Sequence, residues 1–160
     1  MAKIKFQKPL KLILFFSIFA LIAAYFIQYV LGHQPCNLCL IERVPYISVI
    51  LVILLCFYFK KFEKIFLILI SLIFFLGAML SFYHFGIEQG FIKESLVCNL
   101  DSADNFSNPE ELLKSLKEKQ VSCKDVTFRI YGLSLATINI FISLIMSVIT
   151  LKLFLNYEKN

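Results

Sequence analysis

The chain has 160 residues, is 59% hydrophobic with 18 Phe and no Trp, and carries a formal net charge of +5; its mean hydropathy is +0.80. A soluble domain is nearer half apolar and does not gather its apolar residues into long runs, so these features exclude an ordinary soluble globular protein. They also leave a nucleic-acid reading of the positive charge without support, because the lysines flank apolar runs and act as topological signals.

A bilayer core about 30 Å thick is crossed by a helix of about 20 predominantly apolar residues. Runs of that kind lie at residues 12–31, 44–59, 65–83 and 130–151. They predict a single integral membrane domain over residues 1–160, all-α, built as a four-transmembrane-helix bundle with larger loops at 32–43 and 84–129. The first run follows the basic flank Lys3, Lys5, Lys8 and Lys11 and reads as a retained signal anchor. With both termini on one face, that face holds nine basic and two acidic residues, and the other holds seven basic and nine acidic. The positive-inside rule then puts the N- and C-termini in the cytoplasm and both larger loops outside.

The first of these loops carries Gln34-Pro35-Cys36-Asn37-Leu38-Cys39-Leu40-Ile41-Glu42-Arg43. Gly32 and Pro35 break the chain, and the next helix is expected to start near Asn37 or Cys39, where its positive dipole end favours thiolate. The second span is short; Pro45 suits its first turn, and Leu40 and Ile41 can extend it. Arg43 stands four positions after Cys39, hence on the same helical face, where it either donates hydrogen bonds to a bound carbonyl and steadies a thiolate or snorkels to headgroups. Glu42 either pairs with Arg43 or is solvated, with a supporting role favoured.

A tight turn over residues 59–64 makes spans two and three an antiparallel hairpin. Span three carries the small residues Gly77, Ala78 and Ser81 and ends near His84, which either touches a bound acceptor and shuttles protons or is a plain interfacial histidine. In the second large loop, Asn108-Pro109-Glu110-Glu111 opens a short amphipathic helix expected to run to about Gln120. Cys98 and Cys123 flank that helix. They are either a clip, worth about 3–4 kcal/mol for a loop of this length, or an exchangeable pair. Asn139 falls near the middle of the last span, where it must face the bundle. Cys56 reads as a buried small hydrophobe.

All four loop cysteines fall on the side where disulfides persist. Two pairs in adjacent loops make a relay by thiol–disulfide exchange, and no haem, Rossmann or flavin motif is present to receive the electrons. That leaves a lipid-soluble acceptor, a quinone, close to Cys39 and Arg43. The competing reading is a structural membrane subunit holding zinc on Cys36, Cys39, Cys98 and Cys123, although the second pair lacks the spacing of a zinc knuckle.

Pro35 through Tyr46, Tyr83 through Glu88, and Ser122-Cys123 through Gly132-Leu133-Ser134 occur in an order that resembles the disulfide bond formation protein B (DsbB) family over nearly the whole chain. That family comprises bacterial inner-membrane oxidases that regenerate periplasmic DsbA-like thioredoxin-fold oxidants with quinone. The resemblance implies that Cys98 engages the DsbA-like partner in a mixed disulfide, with Cys123 as its paired thiol. It implies that Cys36 exchanges with Cys123, and that Cys39 is the thiolate passing electrons to ubiquinone or menaquinone. Arg43 would stand at the quinone carbonyl, with His84 nearby and no metal required. Family members often carry Trp around the second loop and fourth span; Phe91 and Phe128 stand in here. A vitamin K epoxide reductase-like enzyme has two cysteine pairs in the opposite order, and a paralogue serving one dedicated partner remains open.

Overall fold

The computed structural model describes residues 2–59, 62–93, 98, 122–124 and 128–158. The helix expected over 108–120 lies outside the described residues. The elements are α1 (Ala2–Tyr29), α2 (Asn37–Ile41), α3 (Val44–Tyr58), α4 (Glu63–Glu88), β1 (Arg129–Ile130), β2 (Leu133–Ser134) and α5 (Leu135–Glu158). Four segments are long and apolar enough to cross a membrane: Gln7–Tyr29, Asn37–Tyr58, Glu63–Glu88 and Leu135–Asn156. The chain is a multi-pass membrane protein built as a four-span helical bundle.

Lipid tails are as apolar as leucine, so burial of greasy side chains does not drive these helices together; close packing and polar contacts do. Large apolar residues accordingly stay on the outside, among them Phe15, Phe19, Leu51, Leu76 and Phe141. The main seam is α4 against α5, and both helices turn small residues to it: Ser71, Gly77, Ala78 and Ser81 on α4, Ala136, Ser143 and Ser147 on α5. Two of these form a reciprocal clasp. The Ser71 hydroxyl donates to the Ser147 carbonyl, and the Ser147 hydroxyl donates to the Ser71 carbonyl, each at 3.0 Å. At Gly77 a Cβ would sit 3.2 Å from the Pro45 ring, so glycine there lets α3 approach α4 with the proline in its first turn.

Two features differ from the sequence expectation. The fourth span was expected from residue 130, but α5 opens at Leu135, because a two-residue hairpin loop occupies the preceding stretch. Tyr131 (φ 51°) and Gly132 (φ 83°) both take positive φ, the geometry that matches the twist of the flanking strands. Arg129 pairs with Ser134 and Ile130 with Leu133. The third span was expected to end at residue 83, but α4 continues to Glu88, which places His84 and Glu88 one turn apart on the same helix face.

Candidate active site

At the Cys36 end of the bundle, Cys36 is the N-cap of α2, with extended backbone (φ −72°, ψ 167°). Its sulfur accepts the backbone N–H of Cys39 at 3.2 Å, the part a serine or aspartate usually plays at this position. The same sulfur lies 3.5 Å from His84 Nε2. Hydrogen bonding from the Cys39 thiol, opposed by burial and reinforced by His84, holds the Cys36 thiol down to about 5 from an ordinary 9.0. In this reduced pair the donors converge on Cys36, while Cys39 is the sulfur on the wall of the adjoining cavity.

The chain places His84 by a long-range contact that no local pattern announces. Its Nδ1 meets Glu42 Oε1 at 2.8 Å, and both side chains are nearly sealed from solvent, at 3% and 9% exposure. A carboxylate on Nδ1 fixes the ring with that nitrogen as donor and turns Nε2 toward Cys36, where it accepts from the thiol or, once protonated, donates to the thiolate. The other Glu42 oxygen, Oε2, accepts from Asn139 Nδ2 at 3.2 Å. Asn139 also donates to the Ser81 hydroxyl at 2.7 Å and accepts from the Tyr46 hydroxyl. So Glu42 is committed to His84 and Asn139, and the expected choice between an Arg43 pair and solvation is replaced by a buried role. Glu88 was missed by sequence reasoning. Its Oε1 stands 3.8 Å from His84 Nε2, its side chain is 6% exposed, and its Oε2 has no hydrogen-bond partner among the described residues. The signal that could have found it is the i, i+4 spacing of His84 and Glu88.

Two environments meet at this dithiol. On one side Cys36 and Leu38 pack in a buried cluster with Ile87, Cys98 and Cys123, and with the partly buried Cys39 and Tyr83. Cys98 and Cys123 are joined as a disulfide, with Cα atoms 5.8 Å apart, whereas Cys36 and Cys39 are free thiols. Four free thiolates for the zinc centre weighed above are therefore not present together in this state. On the other side a cavity of about 290 Å³ is walled by α1, α5 and the α2–α3 junction. Phe16, Phe19, Ala20, Ala24 and Ile138 make it apolar, and Cys39, Glu42, Arg43, Tyr46 and Asn139 supply its polar edge. Arg43 is aimed by Gln28, to whose Oε1 its Nη1 donates at 2.7 Å, and by the Tyr25 ring, 4.8 Å from its guanidinium carbon. An apolar ligand with a hydrogen-bond-accepting head suits such walls. Cys56 is buried within α3, as expected of a small hydrophobe.

Residues 7–153 match the family model described as disulfide bond formation protein DsbB. The chain belongs to the DsbB family. A relative from Rickettsia prowazekii (strain Madrid E), an uncharacterized protein, is 30% identical over 158 residues, covering 96% of this chain and 90% of the relative. No solved structure matches. Membership makes the chain a membrane protein of disulfide bond formation and suggests a disulfide oxidoreductase; it also implies a periplasmic thiol partner. Phe128 lies 5.0 Å from His33 between ring centroids, while Phe91 is exposed.

Proposed function

We propose that the chain is a thiol:quinone oxidoreductase of a bacterial inner membrane. It reoxidises a periplasmic DsbA-like thioredoxin-fold protein and passes the electrons to ubiquinone or menaquinone. The lysine asymmetry supports cytoplasmic termini and periplasmic cysteine loops. The observation that carries the reading is the two-sided position of the dithiol: Cys36 packs with the Cys98–Cys123 disulfide, and Cys39 lines the apolar cavity beside Arg43.

The partner's thiolate attacks Cys98, and the partner leaves oxidised once Cys98 and Cys123 are both reduced. Those two thiols are reoxidised by exchange with a Cys36–Cys39 disulfide, Cys123 attacking Cys36. One pair is a disulfide and the other a dithiol, the combination that this exchange would leave. To close the cycle, Cys36 and Cys39 must form an S–S bond and release two electrons and two protons. A quinone supplies a two-electron, two-proton acceptor for this. Arg43, at the cavity edge, would donate to a carbonyl oxygen of the bound quinone, and the aromatic and alanine surfaces of α1 would line its ring and tail. His84 Nε2, beside the Cys36 sulfur, receives that thiol's proton, and Glu42 stabilises the resulting imidazolium.

The test supplies purified protein with a reduced periplasmic thioredoxin-fold oxidant and a soluble quinone and follows quinol formation. Cys39→Ser should abolish turnover, and Cys98→Ser should abolish it with the protein substrate. Arg43→Ala should mainly raise the KM for quinone. Normal turnover in Cys39→Ser would sink the mechanism.

A further inference from the structure

We propose that the reduced site also binds a thiophilic divalent cation, zinc(II) fitting best, through Cys36, Cys39 and His84, with the neighbouring Glu88 carboxylate drawn in as the fourth ligand. This goes beyond the oxidase reading and needs only the dithiol state.

The sulfurs of Cys36 and Cys39 and a ring nitrogen of His84 lie within 4.8 Å of one another, in a pocket where Cys36 and His84 are buried. Zinc takes thiolate sulfur at about 2.3 Å and imidazole nitrogen at about 2.0–2.1 Å, so a tetrahedral site separates sulfur from nitrogen by roughly 3.6 Å. Cys36 Sγ and His84 Nε2 stand 3.5 Å apart. That edge of the tetrahedron is already formed.

The ring is also held in the manner of metal-bound histidines, whose free N–H donates to a carboxylate that fixes the tautomer and raises ligand basicity. Glu42 does this at Nδ1, at 2.8 Å, and leaves Nε2 as the ligand atom. Glu88 is the independent observation. A buried carboxylate ordinarily has its oxygens satisfied, yet Glu88 Oε2 has no hydrogen-bond partner among the described residues, its side chain is 6% exposed, and Oε1 lies 3.8 Å from the nitrogen that would bind the ion. A dication there would offset the charge of two thiolates and give the unsatisfied Glu88 oxygen a partner. Zinc, which has no redox chemistry of its own, accepts this mixture of sulfur, nitrogen and oxygen ligands readily.

Binding replaces the remaining thiol protons with metal–sulfur bonds and changes no oxidation state. It occupies both sulfurs, so it excludes S–S bond formation for as long as the ion stays. Conversely, once the pair is a disulfide, two of the four donors are gone and the ion is released. The same dithiol is thus either an electron donor or a metal ligand, and zinc acts as an inhibitor that engages only the reduced form.

The test titrates cobalt(II), a spectroscopic stand-in for zinc, into reduced full-length protein in detergent, in a Cys98→Ala/Cys123→Ala background so that the loop thiols do not compete. The expected result is one cobalt per chain, with a thiolate charge-transfer band in the near ultraviolet, intense tetrahedral d–d bands, and displacement by one zinc. Cys36→Ser and Cys39→Ser should each lose most of the charge-transfer band. His84→Ala and Glu88→Gln should weaken binding at least 10-fold, and Glu42→Gln by about 10–100-fold, the usual cost of removing an outer partner. Circular dichroism of each variant checks that the helices persist. Absence of a saturable one-to-one site would overturn the proposal. So would unchanged affinity in His84→Ala or Glu88→Gln, which would reduce the site to adventitious dithiol chelation. The titration contains neither quinone nor protein partner, so a failed oxidase assay leaves its result intact, and a failed titration leaves the oxidase reading standing.

Discussion

The depressed Cys36 thiol gives the sharpest quantitative prediction. Moving a thiol from 9.0 to about 5 represents about 5 kcal/mol of preference for the anion, at 1.36 kcal/mol per tenfold. The absolute rate of alkylation is a poor readout, because Cys36 is buried and because nucleophilicity falls as a thiol becomes more acidic. Both effects cancel when the rate at one site is compared between two pH values. A thiol with a midpoint near 5 is about half ionised at pH 5 and essentially fully ionised at pH 7, so its rate rises only about twofold. A thiol left at 9.0 rises about 100-fold over the same interval. The assay is iodoacetamide modification of the reduced Cys98→Ala/Cys123→Ala protein, with Cys36 quantified by peptide mass spectrometry. Cys39→Ala, which removes the largest stabilising contribution, should raise the ratio most, and His84→Ala should raise it less. Because folding lowers this thiol's pKa, its contribution to the stability of the reduced protein is full above pH 9.0 and gone once the pH falls below about 5. A pH 7 to pH 5 ratio near 100 in the unsubstituted site would refute the reasoning.

Other expectations follow from the packing. Asn139→Leu strips Glu42 Oε2 and the Tyr46 hydroxyl of their shared partner, at about 1–3 kcal/mol for an unsatisfied buried group; thermal unfolding in detergent should show the loss. The Ser71–Ser147 clasp should show a coupling of about 0.6–1.7 kcal/mol in a double-mutant cycle with alanine, read from the same unfolding. Gly77→Leu drives a side chain into the Pro45 ring, 3.2 Å from where a Cβ would sit, and should cost about 1–3 kcal/mol as overpacking. Tyr46 follows Pro45 and lines the cavity, so the same variant should also weaken quinone use, measured as a raised KM.

The four spans were legible because a membrane helix announces itself locally, in about 20 apolar residues. The dithiol was legible for the same reason: Cys36, Cys39 and Arg43 are neighbours in sequence, and the structure puts Cys39 and Arg43 on one cavity wall as their spacing requires. The hairpin before α5 was hidden because Ile130, Tyr131 and Leu133 look like the start of an apolar run, and Tyr-Gly lacks the asparagine or aspartate that usually marks such a turn. The partners of Glu42 were hidden by distance: His84 lies 42 positions away and Asn139 lies 97.

One kind of signal did exist for those partners and was only half used. Inside lipid a polar side chain must find another polar group, so polar positions on apolar helices mark the faces that meet. Ser81, His84 and Glu88 on α4 and Asn139 and Ser143 on α5 form such a set, and the structure ties them together through Glu42, with Tyr46 at the cavity edge. Glu42 sits beside Arg43 in sequence but works across the bundle. It connects the face where Cys36 meets the disulfide to the wall where Cys39 meets the cavity. A Glu42→Gln substitution keeps the shape and removes the charge. It should therefore leave the Ser71–Ser147 seam intact and cost about 1–3 kcal/mol at most, where the new amide N–H2 meets a donor, while it alters the pH dependence of thiol reactivity. Equal loss of stability and reactivity would mean that Glu42 merely braces the bundle.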